Sequence, residues 1–540
     1  MSKMRPKRGK MAPNPPVSMF SLVGHGIEVF KRFNDLPTYY LELVQKYGKV
    51  VRLIVGPPLA PLDNIVVTTQ PECLRHILKD NFDNYEKGSD LTKWMHEIFG
   101  HGIFGVDGES WYRQRKTAAN IFTADNLRDE VTRTMQNNCE ILITALCNAG
   151  EGGTKPVNIQ NFFLAFTMDT FIEVGFGVQS KSLDPSGKDE WKEFGSSFDG
   201  LQVLCPSRMF RPTWPVQRFL SKLALRGWPV GFLCGSELTI AKMQSVVDST
   251  LNRIIEQRSK AGALNRRDSV TSASSRVASP DGSPRSRGSP GTDSPKRRRS
   301  MSKYDETKRL DLLELFLDVK PPYSKDELRD VIKSLLVGGR DTTAISLTWA
   351  FFEIARHPEI EKKCIEEVKS IPEDDAPAFY AASKGWKYID AVARETIRLY
   401  SPVPIDAKHA VDDDVLPDGT FIGKGWITVY SPYIMARDSD LWGPDAATWR
   451  PERWFEGNLA TQEPSPFMMS SFQAGPRICL GKDLAIFETK AVIAQLLHSG
   501  IRMRLWPSMG KEVPKYQMGV TMQVAEPGML MKIELEKDEE

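Results

Sequence analysis

FQAGPRICLGKDLAIFETK, residues 472–490, places Cys479 inside a glycine-bearing loop that runs directly into an apolar-periodic stretch. Apolar residues recur beyond it at three- and four-residue intervals, so a helix is expected to begin just after the cysteine. A thiolate ligand at that position can draw on backbone N–H groups and on the positive end of the helix. Gly475 and Gly481 let the backbone approach a flat partner where a side chain would collide. Phe472 can shield the sulfur from water, and Arg477 offers a planar guanidinium fork for a carboxylate, a geometry lysine lacks. A lone cysteine is more often a small buried hydrophobe. Five chemically apt residues at F-x-x-G-x-R-x-C-x-G spacing argue instead for a ligand loop.

The chain has 540 residues, 41% of them hydrophobic, enough to bury a sizeable core. Its 71 basic and 69 acidic residues give no global reason to expect nucleic acid or an acidic partner. Seven cysteines without C-x-x-C spacing suggest neither a disulfide framework nor a zinc site, and a reducing compartment fits best. Residues 1–29 form a basic leader carrying Lys3, Arg5, Lys7, Arg8 and Lys10. The apolar patch that follows is broken by Gly24, His25, Gly26 and Glu28, too short and polar for a transmembrane helix.

Residues 259–309 differ from their surroundings, with Ser-Pro steps at Ser279, Ser283, Ser289 and Ser294 and 13 basic against 5 acidic residues. A disordered insert is expected there. Phosphates on those serines would offset its positive charge, although a solvated surface linker is the plainer reading. Helical periodicity dominates 110–122, 127–147, 158–177 and 239–258, with short β runs at 49–56 and 64–69. Ser324 and Glu327 form an S-x-x-E capping box that opens a long helix running to about His357. A further helix over 386–400 gives way to hairpins around Pro417-Asp418-Gly419 and Gly423-Lys424-Gly425. The fold class expected is mainly α with a minor β portion, one domain made of 30–258 and 310–540 with the insert between them.

The Cys479 loop resembles the haem-binding signature of the cytochrome P-450 superfamily, and the rest of the chain carries further motifs in the matching order. VGGRDTTA resembles the long-helix segment that supplies an acid and an alcohol, here Asp341 and Thr342, with Gly338 and Gly339 loosening the helix ahead of them. Glu395 and Arg398 lie three apart on one helix face, and the resemblance joins them to Arg453 in a buried network. Taken alone, E-x-x-R means little, since it recurs at Glu130 with Arg133 and Glu353 with Arg356. Trp111 and Arg115 resemble the W-x-x-x-R pair that faces the haem propionates together with Arg477. The similarity covers about residues 30–535 outside the insert.

The resemblance implies the cytochrome P-450 fold, haem b ligated by Cys479, and insertion of one oxygen atom from O2 into a C–H bond of an apolar substrate. The G-x-G-x-x-G spacing at Gly100, Gly102 and Gly105 follows no β run, so no flavin or nicotinamide fingerprint is read and NADPH electrons are expected through a separate flavoprotein reductase. Arg113, Lys116 and Lys482 are candidates for its docking patch. The stretch 394–426 resembles the fatty-acid omega-hydroxylase branch of plants and fungi. In that branch the pocket walls come from positions matching Val403, Pro404, Ile405, Thr92 to Phe104, Met518 and Met522. Resemblance also implies the cytosolic face of the endoplasmic reticulum membrane; most microsomal members begin with an anchor helix, so either the N-terminus here is incomplete or attachment relies on the basic leader and apolar surface. Two alternatives stand beside this reading: a haem-thiolate isomerase or dehydratase of lipid hydroperoxides, against which Asp341 and Thr342 speak, and a non-catalytic haem sensor.

Overall fold

The computed structural model describes residues 9–16, 24–55, 63–120, 127–184, 189–211, 213–274, 311–372, 375–510 and 512–536. Helices dominate. Those that position the site are α1 (Gly108–Ala118), α2 (Thr132–Gly150), α3 (Ile159–Phe176), α4 (Asp189–Leu204), α5 (Trp214–Ala224) and α6 (Ser236–Ser274). Later in the chain come α7 (Lys325–Leu336), α8 (Thr342–Arg356), α9 (Lys387–Leu399) and α10 (Lys482–His498). A five-stranded sheet has the order β1 (Val50–Val55), β2 (Asp63–Thr68), β5 (Ile427–Tyr430), β4 (Asp406–Ala410) and β3 (Tyr85–Glu86). Only β2 and β5 pair in parallel, in the register Ile65 to Ile427. A small hairpin, β6 (Tyr516–Met518) with β7 (Met522–Val524), sets Met518 opposite Met522.

The long helix expected from Ser324 is present. Ser324 accepts from the Glu327 N–H while the Glu327 carboxylate accepts from the Ser324 N–H, satisfying two donors that a helix start leaves unpaired. Between α7 and α8 the chain stays helical over Val337–Asp341 but widens to a π turn, the ladder loosened at the glycine pair. Around α8 lies the main core, where Trp349 stacks on Tyr400 at 4.4 Å and Phe163 of α3 stacks on Phe351 at 5.6 Å. A second core packs Phe194 and Phe198 of α4 against Val247 of α6 and Leu336 of α7. Burying each such side chain contributes about 1.5–3 kcal/mol, and the two cores hold successive halves of the long helix, α7 in the second and α8 in the first.

The insert expected to start at 259 begins on a helix, since α6 continues to Ser274, and 275–310 lie outside the described residues. Arg258 on α6 pairs with Asp311 and, at 3.1 Å, with Glu314, which joins the flanks of the insert. Asp311 also caps the following short helix by accepting from the Glu314 N–H at 2.8 Å. Part of the leader is docked on the body. Lys10 exchanges backbone hydrogen bonds with Gly419 and Phe421, and Arg52 donates to the Pro13 carbonyl at 2.8 Å. Among the described residues, no helix is long and apolar enough to cross a membrane.

Candidate active site

The Cys479 loop is set by one tight crossing. Gly475 has φ +66°, and a Cβ there would lie 2.0 Å from the Leu78 carbonyl oxygen, so only glycine fits. The Cys479 N–H donates to the Phe472 carbonyl at 2.8 Å, and α10 starts three residues later. Cys479 is the exposed one of the seven cysteines, yet protein crowds it closely, so its sulfur opens onto an internal space. Burial pushes the thiol up, while the Gly481 N–H and the Arg115 guanidinium pull it down; burial wins.

Beside this space, Trp111 of α1 is sandwiched by cations: the Arg477 guanidinium carbon is 4.5 Å from its ring centroid and that of Arg115 is 5.8 Å. Arg477 donates to the Val106 carbonyl at 3.1 Å and pairs with Asp107, but its Nε has no hydrogen-bond partner among the described residues. Lys408 on β4 was not singled out by the sequence. Its side chain is buried, its Nζ lacks a partner, and burial beside Lys87 and Arg477 holds it well below the usual lysine range. The only sequence signal is its place in DAKHA, where strand alternation turns residue 408 inward.

On the long helix, Thr342 Oγ1 donates to the Gly338 carbonyl at 2.6 Å, inside the π turn. Asp341 is fully buried and receives Arg340 Nη1 at 2.6 Å; Arg340 also reaches Asp199 of α4. Burial raises the Asp341 carboxyl to about 6, against the pull of Arg340. Its Oδ2 and both polar atoms of the adjacent Gln202 amide lack partners of good geometry, which leaves a polar opening in the helix packing. The glycine pair has a second use. A Cβ on Gly339 would lie 2.2 Å from the Phe171 ring, so this glycine lets α3 press against the helix. Phe104 lies beside Gly338, and the Met522 N–H donates to the Pro402 carbonyl at 2.9 Å, fixing the β6–β7 hairpin against Val403, Pro404 and Ile405.

Glu395, Arg398 and Arg453 come together as expected. Glu395 Oε1 accepts from Arg398 Nη2 and from Arg453 Nε, each at 2.8 Å, and Oε2 accepts from the Trp454 indole at 3.1 Å. Arg398 Nε donates to Glu395 Oε2 at 2.9 Å and its remaining donors reach the Ala436, Ala446 and Thr448 carbonyls, so a buried charge cluster also ties α9 to the meander before Cys479. Glu130 with Arg133, by contrast, is an exposed i,i+3 pair. The docking candidates do not behave as one patch: Arg113 stacks on Tyr323 at 3.9 Å and donates to the Pro321 carbonyl, and Lys482 pairs with Glu463 at 3.4 Å.

The family model for cytochrome P450 matches residues 13–221 and 294–524, leaving out 222–293, which takes in much of the expected insert and the stretch before it. This chain is a cytochrome P450. Among its relatives, cytochrome P450 704C1 of Pinus taeda is 32% identical over 96% of this chain and 92% of its own length. Cytochrome P450 704B1 of Arabidopsis thaliana is 30% identical over 91% and 89%. Cytochrome P450 94A2 of Vicia sativa is 28% identical over 98% and 93%. Membership makes the protein a monooxygenase that uses haem. The residues present fit that group: a thiol opens onto an internal space, and buried cationic donors at Arg477 and Lys408 lack partners, as an anionic ligand would require.

Proposed function

We propose that this cytochrome P450 hydroxylates the distal end of a long-chain fatty acid, with Cys479 as haem ligand and NADPH electrons from a separate flavoprotein reductase. Bound there, haem iron supplies the positive charge that holds Cys479 as a thiolate and the oxygen-activating redox chemistry of the family. Trp111, Arg115, Arg477 and Lys408 hold its propionates, and Phe472, Gly475 and Gly481 shape the loop that carries the sulfur. The observation that carries this assignment is the conjunction of the Cys479 opening with the unpartnered donors of Arg477 and Lys408.

Asp341 has the protonation behaviour of a proton donor. With its carboxyl raised to about 6, it is partly protonated near neutrality and can pass a proton on from Oδ2. Thr342 Oγ1 spends its own hydrogen on the Gly338 carbonyl, leaving its lone pairs to receive and orient water at the π turn. These roles favour oxygen insertion over a hydroperoxide isomerase or a sensor. Val403, Pro404, Ile405, Phe104, Met518 and Met522 supply apolar walls suited to an alkyl chain.

Attachment to the cytosolic face of the endoplasmic reticulum membrane is supported by exposed apolar side chains on and after α5, among them Phe219, Trp228 and Phe232. The test is direct. The purified protein, reduced and exposed to carbon monoxide, should give the band of thiolate-ligated haem and lose it in Cys479→His. Fatty acids of graded length, supplied with reductase and NADPH, should yield terminally hydroxylated products. An imidazole-type band in the wild type, or no product from any fatty acid while NADPH is consumed on other apolar compounds, would overturn the corresponding half.

A further inference from the structure

Gln473, next to Phe472 in the cysteine loop, has φ +62° and ψ −178°. That region of backbone space is essentially reserved for glycine, so a residue with a Cβ stays there only if its surroundings hold it. Glu151, which also has positive φ, is a different case: it closes α2 in the left-handed helical region, where helices commonly stop.

What holds Gln473 is a grip on its side chain. Asp406 and Tyr430 face one another across β4 and β5, and both reach the Gln473 amide. Gln473 Nε2 donates to Asp406 Oδ2. The Tyr430 hydroxyl, with one hydrogen to give, lies 2.7 Å from Gln473 Oε1 and 2.6 Å from Asp406 Oδ2. Lys87 Nζ completes the cluster by donating to Asp406 Oδ1 at 2.7 Å. Burial opposes the Asp406 charge, but Lys87 and Lys408 outweigh it and hold the carboxyl below its ordinary value, so the acceptor that Gln473 needs stays ionised.

The φ angle of residue 473 sets the plane of the peptide that carries the Phe472 carbonyl. Turning Gln473 to an ordinary negative φ swings that peptide, and two hydrogen bonds go with it: the Gln473 N–H to the Ser470 carbonyl at 2.9 Å, and the Cys479 N–H to the Phe472 carbonyl at 2.8 Å. Gly475 is pressed against Leu78, so no slack is available on that side. We propose that Gln473 is a positioning residue for the Cys479 sulfur: gripped by Asp406 and Tyr430, it keeps the backbone in a glycine-only conformation that leaves the Phe472 carbonyl on the Cys479 N–H. This role rests on Cys479 being the haem ligand and adds to it a reason for a strained residue in the ligand loop.

The test follows the haem-loaded full chain, reduced and bound to carbon monoxide in mild urea, and times the loss of its thiolate band in wild type, Gln473→Leu, Gln473→Gly and Tyr430→Phe. Leucine keeps a Cβ but cannot be gripped, so its band should decay about tenfold faster than wild type, whereas glycine holds the angle unaided and should stay within about twofold. Tyr430→Phe removes one contact of the grip and should fall between, at about threefold. Equal decay in wild type and Gln473→Leu overturns the role. So does a glycine variant as impaired as leucine, which would make the amide, not the backbone angle, the requirement. Should Gln473→Leu take up no haem, uptake by Gln473→Gly supports the role and failure of both counts against it. The ligand assignment is separable: an imidazole-type band in wild type sinks that assignment and this role together, whereas a thiolate band equally durable in all four proteins sinks the role alone.

Discussion

Glu488 stands nine residues beyond Cys479 in the helix that follows the loop, buried where α10 meets α8, with Thr343 as its neighbour. Burial raises its carboxyl to about 8, above the ordinary 4.5. A raised folded-state value means that its contribution to stability is complete below about 4.5 and is lost as pH climbs through about 8. Glu488→Gln, fixed in the neutral form, should therefore match wild type in thermal midpoint near pH 4.5, exceed it increasingly toward pH 8 and hold that lead above it. A variant that tracks wild type across that range would mean the carboxyl is ionised throughout. Two other residues carry sharp expectations. Asp341→Asn should lower product formed per NADPH by about 100-fold, the usual scale of a lost general acid, while substrate binding persists. Lys408→Met should speed haem loss without changing the type of axial ligand, read from the rate of haem transfer to an apoglobin acceptor. Lys408, Gln202 and Glu488 escaped the sequence reading for a shared reason: each acquires its setting from elements distant in the chain, and nothing adjacent in sequence marks it. Cys479 was legible because its ligand loop is local, with glycine, arginine and cysteine at fixed spacing within one turn.

At the scale of elements, the π turn of Val337–Asp341 joins two ordinary helices and points Asp341 toward α4 while Thr342 closes back on Gly338. The sequence showed the helix from its capping box and periodicity, and showed the glycine pair as a loosening device. It did not show that Gly339 is also a packing glycine against Phe171. Gly339→Ala should destabilise the fold by about 1–3 kcal/mol through overpacking, and Phe171→Ala in the same chain should recover part of the loss, measured by denaturant unfolding of each variant. The Glu395 cluster makes a harsher demand. Arg453→Met leaves one buried carboxylate oxygen without one of its three donors, so a loss of about 3–5 kcal/mol and poor haem incorporation are expected. That the third member is Arg453 follows only weakly from composition. Order along the chain selected it, and the 2.8 Å contact with Glu395 supplies the physical ground.

For the whole molecule, the mainly helical class with a small sheet was readable because helical periodicity persists through long stretches and β runs are few and short. Where the basic segment begins was less readable, since α6 carries helical backbone past the change in composition at 259. Removing residues 262–303 should leave the thermal midpoint within about two degrees of wild type, because loop-closure entropy changes slowly with length and the flanks are already joined. A large drop would show that the segment packs on the body.

The Arg258 contact with Asp311 and Glu314 works as a staple at the neck of a loop. Whatever is threaded between its two sides, whether longer, shorter or of opposite charge, departs from the end of α6 about four turns past Arg258 and rejoins the enzyme at Asp311. The oxidising machinery is thereby insulated from changes in that stretch, which makes the neck a ready port for grafting a fluorescent tag or a tether to the electron donor.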